Sequence, residues 1–194
     1  MNYLAHIYLS GDEEELLIGN FIADAVKGKQ VEQYQEGIAR GIRLHRLIDS
    51  YTDTHPVVRQ TKLRLRPHFR KYAPVVADVF YDHFLAKGFE QYADVSLPAF
   101  AKQVYRIIEN RFLLLPPKVQ YFFPYMMRQD WLASYAEVEG IRRALVGMSR
   151  RTAFTSGMEL AGDELEANYG RYGADFDTFF PDLVHYVEQV KKEL

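Results

Sequence analysis

A chain of 194 residues is long enough to bury roughly 70% of the surface that its unfolded form exposes, so its hydrophobic core needs no disulfide or structural metal to be stable. Hydrophobic residues make up 48% of the chain and charged residues 26%, which is a globular composition and excludes a disordered protein. The formal net charge of -2 indicates no particular partner, and the absence of cysteine excludes a disulfide framework and a thiolate zinc site.

The amino-terminal segment, MNYLAHIYLSGDEEE, has no basic residue before its apolar run and soon becomes acidic, unlike a secretory signal peptide. No stretch approaches the roughly 18 consecutive apolar residues that a membrane helix requires. We therefore expect a cytoplasmic protein. Residues 2–9 alternate weakly in hydropathy, and so short a run does not distinguish a strand from a helix.

The chain beyond this segment has the apolar spacing of helices. Ser10 followed by Glu13 has the pattern of a capping box and predicts a helix at 11–27 that ends at Gly28. Further helices are predicted at 31–54, 57–70, 74–92, 98–112, 117–135 with a kink at Pro124, 137–151, and 157–194 with a break near Gly173. The sequence thus predicts one all-α domain over residues 1–194, a single-domain helical bundle without a linker or an internal repeat.

Three of the predicted helices carry metal-binding residue types four positions apart, a spacing that stacks two side chains on one helix face. The pairs are Asn20 with Asp24, His45 with Asp49, and Asp78 with Asp82. His45 and Asp49 lie in an apolar pattern, and a carboxylate that leaves water requires a cation, a donor network or a metal ion beside it. One such pair alone is usually a surface or hydrogen-bonded pair, whereas three pairs favour a shared divalent ion.

Asp24 and His6 are further polar residues within apolar segments. With the paired residues they would form a mixed nitrogen and oxygen shell, which suits Mn²⁺, Mg²⁺, Fe²⁺ or Zn²⁺ in a hydrolytic site. Neighbouring Lys27, Arg43 and Arg46 are suited to orient a phosphate. These residues predict a helical metallohydrolase.

The segment between Thr54 and Ala77, which we name the basic segment, contains six Lys or Arg residues and no acidic residue. A field of this sign attracts phosphate groups or an acidic protein, although such a run is most often a solvated face.

Several blocks of the sequence resemble the bacterial acyl carrier protein phosphodiesterases, a helical branch related to the HD-domain phosphohydrolases. The resemblance covers about the first 135 residues and lies in MNYLAH at 1–6, GNFIAD at 19–24, GIRLHRLID at 41–49 and DVFYDHFL at 78–85, with a weaker match at 130–132. It implies an HD-domain-like fold and hydrolysis of the phosphodiester that joins 4'-phosphopantetheine to a serine of holo-acyl carrier protein. It also implies Mn²⁺ as the usual ion. The adjacent Asp82 and His83 reverse the standard HD order.

The resemblance implies a metal and catalytic shell within which we expect two overlapping sets. The expected metal ligands are His6, Asp24, His45, Asp49 and Asp82, and the expected catalytic residues are Asp24, His45, Asp49 and His83. The expected substrate-binding residues are Lys27, Arg43, Arg46, Arg64 and Arg66.

The expected partner is holo-acyl carrier protein, which is small and acidic, so that a basic helix would steer it towards the ion. Neither nucleic acid nor a membrane is expected as a partner. Two alternatives stay open: a phosphohydrolase that acts on a nucleotide or another small phosphoester, and a non-catalytic helical binding protein with a buried salt-bridge network.

Overall fold

The computed structural model describes residues 1–194 as eleven α-helices without a β-strand, which confirms the predicted all-α class. The helices are α1 (Tyr3–Ser10), α2 (Glu14–Ile22), α3 (Glu36–Thr54), α4 (Pro56–Phe69), α5 (Ala73–Lys87), α6 (Leu97–Asn110), α7 (Pro117–Arg128), α8 (Trp131–Ser134), α9 (Val138–Ser149), α10 (Ala161–Ala167) and α11 (Tyr169–Val190). None of them is both long and apolar enough to cross a membrane.

The amino-terminal third differs from the prediction in how its helices begin and end. Residues 3–10 form a helix, and Ser10 is its last residue, with its hydroxyl donating to the carbonyl oxygen of His6 at 2.9 Å. The predicted capping box at Ser10 is therefore wrong, because α2 begins only at Glu14 and has Glu13 at its N-cap. Gly11, with a φ of 70°, separates the two helices.

Two predicted helices near the carboxyl end are interrupted at other positions. The segment predicted as one helix at 117–135 is divided, because α7 contains Pro124 and ends at Arg128, and α8 begins after Asp130, whose backbone is left-handed with a φ of 45°. Gly173 is inside α11, which is separated from α10 at Asn168. These two breaks depend on short-range backbone geometry that a hydrophobic period does not report.

Helix α5 lies at the centre of the fold and packs against α1, α4, α9 and α11. Its residues are buried on every side, among them Val76, Phe80 and Leu85, as expected for a helix in the middle of a core. One continuous hydrophobic core of 51 buried residues runs through the molecule.

Helices α2 and α3 pack with their backbones in direct contact. A Cβ atom at Gly19 would lie 2.0 Å from the carbonyl oxygen of Ile38, and one at Gly41 would lie 2.2 Å from that of Leu16. Only glycine fits at both positions, so the two helices approach more closely than side chains would allow. This approach brings the carboxyl half of α2 against the middle of α3.

Candidate metal centre

Three side chains from α1 and α3 meet in one cluster. His6 Nε2 lies 3.1 Å from Asp49 Oδ1, and His45 Nε2 lies 3.2 Å from Asp49 Oδ2. The two imidazole rings stack, with centroids 3.9 Å apart and an interplanar angle of 15°. One ligand atom from each of the three residues lies within 4.8 Å of the others. This is the compact grouping that a shared cation requires.

The hydrogen bonding of the two imidazoles shows that the cluster fits a metal ion. Nε2 of His6 and Nε2 of His45 are buried and have no partner with hydrogen-bond geometry, although the Asp49 carboxylate is close to both. A buried ring nitrogen without a partner costs free energy. A divalent ion would take up both lone pairs and the Asp49 charge at once, and imidazole with carboxylate is a common donor set for such ions.

The other side of the His45 ring is fixed by α2. Its Nδ1 lies 2.9 Å from the backbone oxygen of Asn20 and 3.1 Å from Asn20 Oδ1. A proton on Nδ1 donates to these oxygens and leaves the Nε2 lone pair facing the cluster. The Asn20 amide also donates to the carbonyl oxygen of His6 at 2.7 Å and to Ser10 Oγ at 3.0 Å. Asn20 therefore ties α1, α2 and α3 together behind the metal-facing atoms.

In the absence of a metal ion, His45 and the carboxylates beside it carry opposite charges, whereas His6 is neutral. Burial, with a contribution from nearby His45, lowers the pKa of His6 to about 4, so this ring is neutral at pH 7. Burial opposes protonation of His45 as well, but the carboxylates of Asp24 and Asp49 outweigh it and raise the pKa of His45 to about 9. The pKa of Asp49 stays below its usual range because His45 and His6 offset its burial.

Asp24 lies at the exposed side of the cluster. It belongs to a 3-10 turn over Ala23–Ala25 that follows α2, so Asn20 and Asp24 do not share one α-helix as the spacing predicted. Asp24 Oδ1 lies 3.3 Å from His45 Nε2, and the Asp24 side chain is 73% exposed. The His45 ring lowers the pKa of Asp24, so its carboxylate is ionised at neutral pH.

Asp82 is not brought to the cluster. Its carboxylate is fully buried and accepts the backbone N–H groups of Leu4 at 2.7 Å, Asn2 at 3.2 Å and Ala5 at 3.3 Å. It thus binds the amino end of α1, where free N–H groups and the helix dipole favour a negative charge. The expectation that Asp82 is a metal ligand is corrected by this placement.

His83 also lies away from the cluster. Its Nδ1 lies 2.8 Å from the carbonyl oxygen of Tyr135 and its Nε2 lies 2.8 Å from the Tyr169 hydroxyl. Both ring nitrogens are engaged in the core, which does not agree with the expected catalytic role. Asp78 contacts the amino group of Met1 at 3.0 Å, and this amino group lies 3.9 Å from Asp49.

The five residues expected to bind substrate have different surroundings. Arg64 pairs with Asp175 at 2.6 Å, and Arg43 pairs with Glu36, so both charges are compensated within the protein. Lys27 and Arg46 are exposed beside the turn that carries Asp24, and Arg46 donates to the Val26 carbonyl oxygen at 3.3 Å.

Arg66 is exposed and lines a groove of about 730 Å³ together with four other cations of the basic segment. These are Arg59, Lys62, Arg70 and Lys71, and we name the five residues the basic groove.

Sequence reasoning missed a second set of residues next to the cluster. A cavity of about 490 Å³, which we name the side cavity, exposes Asp24 and is also lined by Lys118, Trp131 and Arg151. These residues come from α7, α8 and the segment after α9, far from the motifs in the chain. The weak match at 130–132 includes Trp131, but no signal in the sequence placed Lys118 or Arg151 beside Asp24.

The comparisons with known proteins agree with the resemblance in the sequence. The family described as acyl carrier protein phosphodiesterase matches residues 1–183. Relatives named acyl carrier protein phosphodiesterase include that of Photorhabdus laumondii, 35% identical over 97% of this chain and 96% of the relative, and that of Serratia proteamaculans, 35% identical over 95% and 96%. A third, from an Enterobacter species, is 31% identical over the full length of both chains.

No solved structure matches the chain, so its expected relation to the HD-domain fold stays a prediction. The family match covers nearly the whole chain, and the relatives align over at least 95% of it. The chain therefore belongs to the acyl carrier protein phosphodiesterase family.

Proposed function

We propose that this protein hydrolyses the phosphodiester between 4'-phosphopantetheine and a serine of holo-acyl carrier protein, with a divalent ion held by His6, His45 and Asp49. The observation that carries the proposal is the pair of buried Nε2 atoms without hydrogen-bond partners beside the Asp49 carboxylate. The near full-length similarity to relatives named acyl carrier protein phosphodiesterase supports the choice of substrate.

We propose Mn²⁺ as the ion, because the family that the sequence resembles implies it. Two imidazoles and one carboxylate also fit Fe²⁺ and Zn²⁺, and Mg²⁺ is a further candidate. When bound, such an ion makes a coordinated water more acidic and offsets charge on a phosphoryl oxygen.

The side chains around this position have separate tasks in the proposal. Asn20 holds the His45 ring so that Nε2 faces the cluster. Asp24 is ionised and accessible, so it orients the attacking water and receives its proton. The water oxygen bonds to phosphorus and the bond to the serine oxygen breaks. Asp24 then passes the proton that it received from the water to the serine oxygen, so the serine leaves as a hydroxyl.

The basic groove supports an acidic protein as the substrate. Pro74 lines this groove and the next residue, Val75, lines the side cavity, so the two adjoin at the start of α5. A small acidic protein seated on the groove would therefore have its modified serine near Asp24. We propose the groove, including Arg66 but not Arg64, as the docking surface.

The proposal is tested by mass spectrometry of holo-acyl carrier protein incubated with the purified protein and Mn²⁺. We expect the mass of the apo form, and we expect His45→Ala and Asp49→Ala to lower kcat/KM by more than about 100-fold, since loss of outer-shell partners alone costs 10–100-fold. Both variants should also lose the metal that the parent protein retains after dialysis.

The controls are His185→Ala and Asp94→Ala, which change the same residue types at exposed positions. They should keep the parent's turnover and metal content. Unchanged turnover in the His45 or Asp49 variant, or no apo form with the parent protein, would refute the proposal.

A further inference from the structure

The side cavity combines a cationic side with apolar walls. Lys118 and Arg151 line it, both are exposed, and neither makes an ion pair with a carboxylate of the protein. Arg151 Nε donates to the carbonyl oxygen of Gly147 at 3.1 Å, a bond that leaves its two terminal nitrogens free. Two uncompensated cations from separate segments at one cavity are suited to a phosphoryl group.

The carboxylates in the cavity do not cancel these two cations. Asp78 is paired with the Met1 amino group at 3.0 Å, and Asp24 Oδ1 lies 3.3 Å from His45 Nε2, at the metal cluster. Neither carboxylate forms an ion pair with Lys118 or Arg151, so both cations are left for a ligand.

The apolar walls of the cavity are built from aromatic rings. Phe122 stacks on Trp131, with ring centroids 6.1 Å apart and an interplanar angle of 4°. The ring centroids of Tyr3 and Phe122 lie 5.7 Å apart. A smaller cavity of about 150 Å³ shares Trp131, Met148 and Arg151 with this one, so the two cavities adjoin at these residues, and Asp24 lines only the larger one. Such a space fits a narrow, extended ligand with an anionic end.

We propose that the side cavity receives the 4'-phosphopantetheine arm and that Lys118 and Arg151 bind its phosphoryl group. This inference rests on the proposed function and adds the subsite and the two binding residues. Hydrolysis leaves the phosphate on the arm and returns the hydroxyl to the serine. The released 4'-phosphopantetheine therefore still carries the group that Lys118 and Arg151 bind, and it serves as a probe without turnover.

Trp131 is the only tryptophan of the chain, so its fluorescence reports the cavity directly. We expect 4'-phosphopantetheine to change this fluorescence in a saturable way. Lys118→Gln and Arg151→Gln should each weaken its binding about tenfold or more, since a hydrogen bond to a charged group contributes about 1.5–3 kcal/mol. Pantetheine, which lacks the phosphate, should bind equally to the parent and to both variants.

Arg128→Gln on α7 and Arg150→Gln beside Arg151 are matched controls, because both residues are exposed and neither lines the side cavity. They should bind both compounds as the parent does. Equal thermal unfolding of all variants shows that a loss is not a folding defect.

Two results overturn the inference: the Lys118 and Arg151 variants bind 4'-phosphopantetheine as tightly as the parent, or they lose pantetheine binding to the same extent. The parallel assay on holo-acyl carrier protein separates this from the proposed function. If the parent makes the apo form but the binding results contradict the subsite, only the inference fails. If the parent makes none while the phosphate-dependent binding is present, the proposed function fails and the subsite stands.

Discussion

At the residue scale, His45 connects the metal-facing side of the cluster to its support. Its Nδ1 contacts Asn20 and its Nε2 faces Asp49 and Asp24 at 3.2 and 3.3 Å. Without a metal the two carboxylates keep a proton on this ring, as the raised pKa of about 9 indicates. A metal ion and this proton therefore compete for the same lone pair.

This competition predicts that metal binding releases protons. At pH 7 His45 is protonated in the metal-free protein, so binding of one Mn²⁺ should release about one proton. The apparent affinity for Mn²⁺ should fall about tenfold per pH unit as the pH decreases below about 9. Above this pH His45 is already neutral, so its protonation should no longer affect the affinity. His6, with a pKa of about 4, is already neutral there and releases no proton.

Calorimetric titration of Mn²⁺ in two buffers of different ionisation enthalpy measures the number of protons released. His185→Gln, at an exposed position, should leave the result unchanged. An affinity that is constant between pH 6 and 8 would contradict the proposed coordination by His45.

The sequence predicted part of this cluster for a physical reason. Imidazoles and carboxylates in apolar segments need partners, and this criterion found His6, His45 and Asp49, which the structure brings together. The same criterion selected Asp82, but a buried carboxylate is equally satisfied by backbone N–H groups at a helix end. Residue type and spacing do not distinguish these two solutions.

At the element scale, the close contact of α2 and α3 positions the cluster. Gly19 precedes Asn20 on α2, and Gly41 is one turn before His45 on α3. The absence of both Cβ atoms lets the Asn20 carbonyl group reach His45 Nδ1 at 2.9 Å. The glycine pair is thus part of the metal centre's support.

We predict that Gly41→Ala separates the two helices and weakens metal binding. The new Cβ would lie 2.2 Å from the Leu16 carbonyl oxygen, and relief of this clash should cost about 1–3 kcal/mol of stability. Mn²⁺ affinity should fall about tenfold or more because the contact behind His45 is lengthened. Thermal unfolding and calorimetric titration measure the two effects.

Gly170→Ala is the matched control, because a Cβ atom at this position in α11 has no neighbour within 4 Å. It should leave Mn²⁺ affinity unchanged and stabilise the protein by up to about 1 kcal/mol, the helix propensity of alanine over glycine. Normal stability and metal affinity in Gly41→Ala would refute the role of this contact.

Most helices could be predicted from the sequence, because a long amphipathic period is a strong local signal. The prediction at 57–70 corresponds to α4 (Pro56–Phe69), and that at 137–151 corresponds to α9 (Val138–Ser149). The helix α1 could not be predicted, because its apolar run is short and the N–H groups at its amino end are accepted by Asp82, about 80 residues further along the chain.

At the scale of the whole molecule, a net charge of -2 conceals a concentration of positive charge in the basic groove. Within the basic segment, Arg64 and Arg66 have different surroundings. Arg64 joins α4 to α11 through Asp175 at 2.6 Å, and it lies over the Tyr172 ring at 5.5 Å. Arg66 is exposed in the groove. A reversal of charge at Arg64 would therefore damage the fold and would not report on docking.

We predict that the double variant Arg59→Glu and Arg66→Glu raises KM for holo-acyl carrier protein at least tenfold, because an acidic partner would be repelled from the groove, while kcat stays nearly constant. Hydrolysis of a small phosphodiester by the same variant should be unchanged, since neither residue lines the side cavity. The rise in KM should diminish as salt is added, because both charges are exposed and screened. The control is Lys102→Glu with Arg106→Glu, on a different cavity that α6 lines. An equal loss on both substrates, or an equal rise in KM for the control pair, would place the carrier protein elsewhere on the surface.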